Sequence, residues 1–553
     1  MKQYILSFFL LSFTLFCFSQ KPVLSDDFSL EISERYKEIE NQGEFNFSYN
    51  NDVVLFKKGK DHFTVKRFKL EGLEKSKQKD QIIEDKGRFE TLLQMEDRAL
   101  IFYTKTNQLF VQSVSLISPV VDAPKLLIDP KSRIADNFGF ESTFRFDSRG
   151  LIHKYGIKKS FDGQKLLILC RREPLIDNDK KNEDRILTYV FSKSLQKEWS
   201  QEYTMPYTQN QMDNEDFAID NQGKFYMTAT VYDSDLGNDL EPTKDEYTYF
   251  TEVFSAPKGA ATLTKTRLKA YKSRLQDAVL FATPDHTPFV LAFYRDRMVT
   301  MIDQGEGKSA KEQPNRESAG IVTFRLGNNG ELAATQQYPF SPEKIDQLRS
   351  ERQKRIKNGK QKSDDIGDFE NLRFNHVFPE PDGSLTVLAE QRYVTEKMTP
   401  TSTGLKPVYT LHYRDVLAAK LKPDGSYAWF HKLPKYQLGF RGKRAMSYSY
   451  MEDANAYYLL YLDDFKNLKL PLDGFPYRLF DGKGGYLFII SYTIDKATGE
   501  AQKVPVVNTK DMKKVKMKHY QTDAISRVSD KQFVIEGTDG NKRDFLLKLT
   551  LEK

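Results

Sequence analysis

The chain of 553 residues is poor in the side chains that most often advertise chemistry, with 2 cysteines, 2 tryptophans and 7 histidines. Cys17 falls in the leading apolar stretch, so Cys170 is the single thiol of the remainder and no internal disulfide can form there. Its setting, KLLILCRRE, reads as a buried strand and predicts an inert core thiol. His62, His153, His286, His376, His412, His431 and His519 never pair at the spacing of a helical metal site. With one cysteine left, a thiolate cluster is excluded as well, and zinc has no ligand set. The Gly-x-Ser-x-Gly elbow of exported serine hydrolases is absent. Beyond residue 18 no apolar run approaches the roughly 20 residues that a spanning helix needs, so no transmembrane segment is expected. Charge of one sign is scarce too: 84 Lys and Arg against 77 Asp and Glu give +7, too dilute over this length to imply nucleic acid. No cofactor is called for.

What is present begins with an address. Lys2 precedes an apolar stretch from Tyr4 to Phe18, and Cys17 with Ser19 supplies small residues at −3 and −1 of a cut before Gln20. Residues 1–19 read as a cleaved secretory signal that delivers the protein to the periplasm. Phe16 directly before Cys17 disfavours the lipoprotein alternative, and a secreted product is likewise disfavoured.

The body of the chain repeats a strand-turn-strand unit in two flavours. Longer outer pairs include Asp184 to Pro206, Tyr247 to Leu268, Ser318 to Pro339, Asp415 to Pro434 and Gly484 to Pro505; in two of them Gly330 and Gly425 each lie nine residues before a closing proline. Shorter, more apolar inner pairs begin at Phe89, Ser160, Asn214, Gln276, Leu372, Met446 and Thr522. An inner pair with the outer pair after it makes a four-stranded antiparallel sheet. Such sheets are covered on both faces only when they stack around an axis. The expectation is an all-β, seven-bladed β-propeller, with eight blades the alternative and a short charged helical insertion. Residues 20–48 form an N-terminal extension and 49–553 one propeller domain, in which the strands of Asp52 to Gly72, which have no inner pair before them, complete the last blade. Trp199, Trp429 and Tyr427 recur at matching places of the outer pairs and are expected to pack between blades.

Two insertions stand out, because loops on a rigid scaffold are where repeat proteins carry function. Residues 341–371 open with Pro342 and Glu343, suited to a first helical turn, and carry a thin apolar stripe of Ile345, Leu348 and Ile356. The segment is basic, and Arg349, Arg352, Lys354, Arg355 and Lys357 are its candidate partner contacts. A second basic run, Lys510 to Tyr520, adds Lys513, Lys514 and Lys516. Residues 394–413, rich in Pro, Thr and Ser, are expected to be a mobile loop. Asp233, Asp235 and Asp239 in YDSDLGNDLE are a weak calcium candidate that lacks the spacing of a complete loop. No catalytic residue is singled out.

The stretch from Leu372 to Asp464, above all YRDVLAAKLKPDGSYAWFHKLPKYQ and SYSYMEDANAYYLLYLDD, resembles exported propeller-type proteins of gliding and gingival Gram-negative bacteria. These include the plug component that closes the periplasmic mouth of the type 9 secretion translocon. The resemblance implies a non-enzymatic periplasmic propeller that binds a protein partner at the cell envelope, as a plug or accessory subunit of an outer-membrane translocon. It transfers no individual residues. The competing class is a propeller that binds or cleaves glycans, for which carboxylates and aromatics would have to gather at one mouth of the central channel.

Overall fold

A computed structural model describes residues 24–553 apart from 39–42, 77–79, 85–86, 139–152, 176–180, 233–248, 270–272, 297–298, 303–310, 315–316, 350–353, 355–368, 402–403, 440–445, 481–486, 511, 513–514, 518 and 540. Eight antiparallel sheets of four or more strands follow one another along the chain, together with a two-stranded hairpin. They span residues 43–84, 88–128, 156–208, 212–268, 273–339, 372–433, 449–508 and 519–551, and the last takes its fourth strand from Phe28–Ile32. Within each sheet the main strands pair in chain order, the pattern that successive hairpins impose, except that the last sheet is completed from the chain's beginning and the sixth is extended by Gln437–Gly439, which pairs parallel with Leu479–Phe480.

The strand sequences explain the stacking. In Lys165–Arg171 nearly every side chain is buried: Leu166, Ile168 and Cys170 join the apolar cluster shared with the second sheet, while Leu167 and Leu169 join the one shared with the fourth. A strand alternates its side chains between two faces, so a continuous apolar run is stable only where both faces are covered. Eight such clusters lie at the eight junctions between consecutive sheets. The eighth joins Val534 and Leu546 of the last sheet to Val53, Leu55 and Phe68 of the first, so the stack closes on itself. First strands of neighbouring sheets also approach one another, which puts them at the centre of the ring.

Two expectations need correction. The sheets number eight rather than seven, because Gly43–Tyr49 and Asp52–Lys58 form an inner pair of their own, paired from Gly43↔Lys58 to Tyr49↔Asp52. Alternating Phe45, Phe47 and Tyr49 face the second sheet, and Asn50 takes a positive φ of 52° in the turn. The supposed N-terminal extension therefore supplies strands to two sheets, the first and the last. Phe28–Ile32 pairs antiparallel with Arg543–Leu551, from Phe28↔Leu551 to Ile32↔Leu547, and this strand completes the last sheet. The other inner and outer pairs lie where the sequence places them, except that the pair expected from Ser160 begins earlier, at Gly156–Lys159, with Ser160 in its turn.

Recurring turn glycines set the spacing between sheets. Gly330 and Gly425 have φ of 87° and 88°, each beside a register shift in its hairpin, as a left-handed bulge residue requires. A Cβ on Gly330 would stand 2.0 Å from Ser255 Oγ of the preceding sheet, and one on Gly425 2.1 Å from Gln336 Nε2. Gly499 lies against Trp429 in the same manner, at 2.2 Å from Cγ. Trp199 and Trp429 are buried in junction clusters, and the Tyr427 hydroxyl donates to Tyr338 O at 2.6 Å, so all three aromatics pack between sheets. Cys170 is buried, and burial pushes its thiol far above the usual range, which keeps it neutral and inert. No helix of the described residues is long and apolar enough to cross a membrane.

Candidate binding face

Hairpin topology sorts the connections by end. Turns joining the first strand to the second, and the third to the fourth, lie at one end of the ring; connections from second to third strand, and from one sheet to the next, lie at the other. In the third to seventh sheets the first set is short throughout, such as 220–224, 327–331, 422–426 and 453–455. The second set holds every large insertion of those sheets, among them 233–248, 297–319, 340–371 and 465–486. In these five sheets one end is thus trimmed and the other elaborated, whereas within the first two sheets the longer connections, 70–80 and 116–124, lie at the opposite end. Two open clefts, of about 530 and 460 Å³, lie at the trimmed end, between the second and third sheets and between the seventh and eighth.

The elaborated end is braced from below by buried ion networks, each at the point where a second strand ends, a third begins and the next sheet starts. Between sheets three and four, Arg171 Nε donates to Asp184 Oδ1 at 3.1 Å and Asn214 Nδ2 to Asp184 Oδ2 at 3.1 Å. Between six and seven, Lys435 Nζ lies 2.7 Å from Glu390 Oε1, and Ser447 Oγ donates to Glu390 Oε2 at 2.8 Å. Asp415 in turn accepts from Lys432 Nζ at 3.2 Å and Lys435 N at 3.0 Å. Burial alone would raise the Glu390 carboxyl, but Lys435 and Arg392 outweigh it and hold it below the ordinary range.

At the closing junction Lys57 Nζ lies 2.9 Å from Glu536 Oε1 and 2.5 Å from Asp544 Oδ2, and Tyr36 donates to Glu536. Burial pulls the Lys57 ammonium down, and Glu536, Glu44 and Asp544 more than reverse it. Glu44, also buried here, is raised well above the carboxylate range, first by desolvation and then by the charge of Glu536. Each network consumes its charges internally. Among the described residues no group of three or more His, Cys, Asp or Glu side chains is placed to hold a metal.

The segment 394–413, expected as a mobile loop, is instead a β-ribbon. Strands Leu385–Thr401 and Gly404–Leu421 run on past the end of the sheet, paired without a break from Arg392↔Tyr413 to Thr401↔Gly404. Facing residues of an antiparallel pair share a side of the ribbon. One side therefore presents Val394, Glu396, Met398, Pro400, Leu405, Pro407 and Tyr409, and the other Thr395, Lys397, Thr399, Lys406, Val408 and Thr410. At the ribbon's foot His412 stacks on Tyr393 with centroids 4.2 Å apart and meets Thr395 Oγ1 at 2.8 Å.

The basic candidates fare unevenly. Helix α1, Pro342–Leu348, forms as expected, with Ser341 Oγ accepting from Lys344 N at 3.1 Å. Arg349 at its end is not available for a partner: it is 8% exposed, and its Nη1 donates to Glu317 Oε1 at 2.8 Å. Ile345 and Leu348 pack on the cluster between the fifth and sixth sheets, so this stripe anchors the helix. Lys354 is half-buried, while Arg352, Arg355 and Lys357 lie outside the described residues. In the second run Met512 and Met517 are buried between the seventh and eighth sheets, which leaves Lys516 exposed at the elaborated end. Lys513 and Lys514 lie outside the described residues, as do Asp233, Asp235 and Asp239. Sequence reasoning missed the ribbon's apolar side and the ion networks. Alternation in VTEKM and LKPVYTL was the available signal for the ribbon, masked by the loop-like PTSTG at its tip.

No family model matches the chain and no curated protein matches it. Solved structures similar in shape include the uncharacterized protein lmo1340 from Listeria monocytogenes EGD-e, 7% identical, covering 81% of this chain and 92% of that one at a TM-score of 0.33. Another is the WD40 domain of SCAP from fission yeast, 8% identical, covering 97% of each chain at 0.37. A third is an acylaminoacyl peptidase of Pyrococcus horikoshii, 10% identical over 92% of this chain and 57% of that one, at 0.34. At these values the likeness carries no argument about function.

Proposed function

We propose that the chain is an eight-bladed propeller of the periplasm that acts without catalysis, as a binding scaffold whose elaborated end meets a protein partner at the cell envelope. The observation that carries this reading is the segregation of insertions: a ring that served only to enclose a core would have no reason to lengthen its connections at one end and trim them at the other. The buried ion networks support the same reading, since they brace the insertions with charges that are already paired. By its resemblance to exported propellers of gliding and gingival bacteria, the partner is an outer-membrane translocon, with this protein as plug or accessory subunit. The glycan alternative gains nothing from Trp199, Trp429 and Tyr427, which are spent on packing between sheets.

Cross-linking through lysines in native envelopes, read by mass spectrometry, tests the reading. Links to one envelope protein should come from Lys397, Lys406, Lys466 and Lys516 at the elaborated end and not from Lys193 or Lys258 at the trimmed end. Links spread evenly over both ends, or a chain found outside the envelope fraction, would overturn it.

A further inference from the structure

Among the described residues, nothing covers the apolar side of the ribbon. Of the fourteen large apolar residues exposed on the described chain, seven cluster in two connections of the sixth and seventh sheets: five on the ribbon, with Leu405 66% and Tyr409 53% exposed, and then Phe465 and Tyr477. The setting is strongly charged. Exposed cations on the elaborated-end connections within and after sheets six and seven include Lys397, Lys406, Lys466, Lys469, Arg478 and Lys516; among the described residues the exposed carboxylates of these connections are Glu396 and Asp473. A chain whose overall charge is +7 in 553 residues thus gathers a basic field around its apolar ribbon.

We infer that this sector rests on an anionic lipid surface, the ribbon tip entering the headgroup layer while the surrounding lysines meet the lipid charge. Three features favour lipid over a protein groove. The apolar side lies on a ridge that stands about 25 Å beyond the sheet at the rise of a β-strand, and a convex ridge suits a fluid that deforms around it. Strand addition is blunted, because Pro400 faces Leu405 and Pro407 faces Met398 in the ladder. A proline fits there only with its missing N–H turned to the outer edge, where an added strand would need it. Finally, the side chains are graded. Met398, Pro400, Leu405 and Pro407 occupy the outer rungs, and Glu396 sits one rung nearer the foot opposite Tyr409, a residue suited to the interface. The protein-binding reading uses the same end of the ring, but this inference does not require it to be right, since vesicle binding and envelope cross-links are measured separately.

The test is co-sedimentation of the chain from Gln20 onward with vesicles of phosphatidylcholine alone or with one third phosphatidylglycerol. Binding should need the anionic lipid and weaken as salt is raised. Met398→Asp with Leu405→Asp, both at exposed positions, should leave thermal unfolding unchanged and weaken binding by about tenfold or more. Tyr409→Trp should add an emission component that shifts to the blue on anionic vesicles. Absence of wild-type binding at low salt, or equal binding by the double variant, overturns the inference. If the double variant instead loses its envelope cross-links while the wild type ignores vesicles, the ribbon is a protein contact and the lipid assignment is wrong.

Discussion

Glu44 and Glu536 face each other at the closing junction, and neither Glu44 Oε1 nor Glu536 Oε2 receives a hydrogen bond. A proton retained by Glu44 supplies the donor that both oxygens lack. Because its folded-state affinity for that proton is raised, the pair stabilises the fold below the raised value, and the contribution fades as pH climbs through it from the ordinary carboxylate range. Glu44→Gln keeps a donor and removes the titration. Its melting temperature should therefore fall less between pH 5 and pH 8 than that of the wild type; parallel curves would show that Glu44 carries no folding-linked proton. Asp463, pushed up to about 6 by burial, acts in the same direction, with its Oδ1 held by Asn467 Nδ2 at 2.6 Å. None of this was legible in the chain, because the partners are so distant: Lys57 and Asp544 are 487 residues apart.

Hairpins were the most legible elements, for a physical reason: a strand covered on both faces must be apolar throughout, and its turn must supply a residue tolerant of positive φ. Where those signals coincide, as in Gly320–Pro339 with its Gly330 or Leu487–Asn508 with its Gly499, sequence and structure agree. They diverge at Gly43–Lys58, whose Asn50-Asn51 turn lacks glycine, and at the ribbon, where a tip rich in Pro, Thr and Ser hides continuous pairing. The turns also do more than reverse the chain. Gly499, at φ 74°, brings its hairpin onto Trp429, whereas Gly163, at φ 70°, has nothing within 4 Å of a Cβ. Gly163→Ala should cost about 1 kcal/mol, the penalty of the left-handed conformation alone. Gly499→Ala should add about 1–3 kcal/mol for overlap with the indole. Equal midpoints in urea unfolding would mean that Trp429 moves aside freely.

On the scale of the whole molecule, the ring depends on one short strand that comes from the other end of the chain. Phe28–Ile32 is held by its ladder to Arg543–Leu551, by Leu546 N donating to Ser33 Oγ at 2.9 Å, and by apolar contacts of Leu30 and Ile32 with the seventh and eighth sheets. Replacing Leu30 and Ile32 together by Asp should free that edge. Hydrogen exchange would then accelerate across 519–551 first, with 156–208 still protected; uniform loss of protection would show that closure is not localised there. The sequence suggests that the strands of Asp52–Gly72 complete the final sheet; Phe28–Ile32 does so instead, while Asp52–Lys69 pairs with Gly43–Tyr49 in a first sheet of its own, which is why the sequence predicts seven sheets and eight form.

The same strand imposes an order of events on synthesis. Its Ser33 and the Leu546 it binds lie 513 residues apart, an interval of about 25 to 100 seconds at ribosomal rates of roughly 5–20 residues per second. Throughout that wait the growing polypeptide holds an orphaned β-edge with no mate yet made, and seven sheets are free to assemble before the eighth. Maturation of this protein is therefore a matter of keeping one early segment unspoken for until the last words of the message arrive.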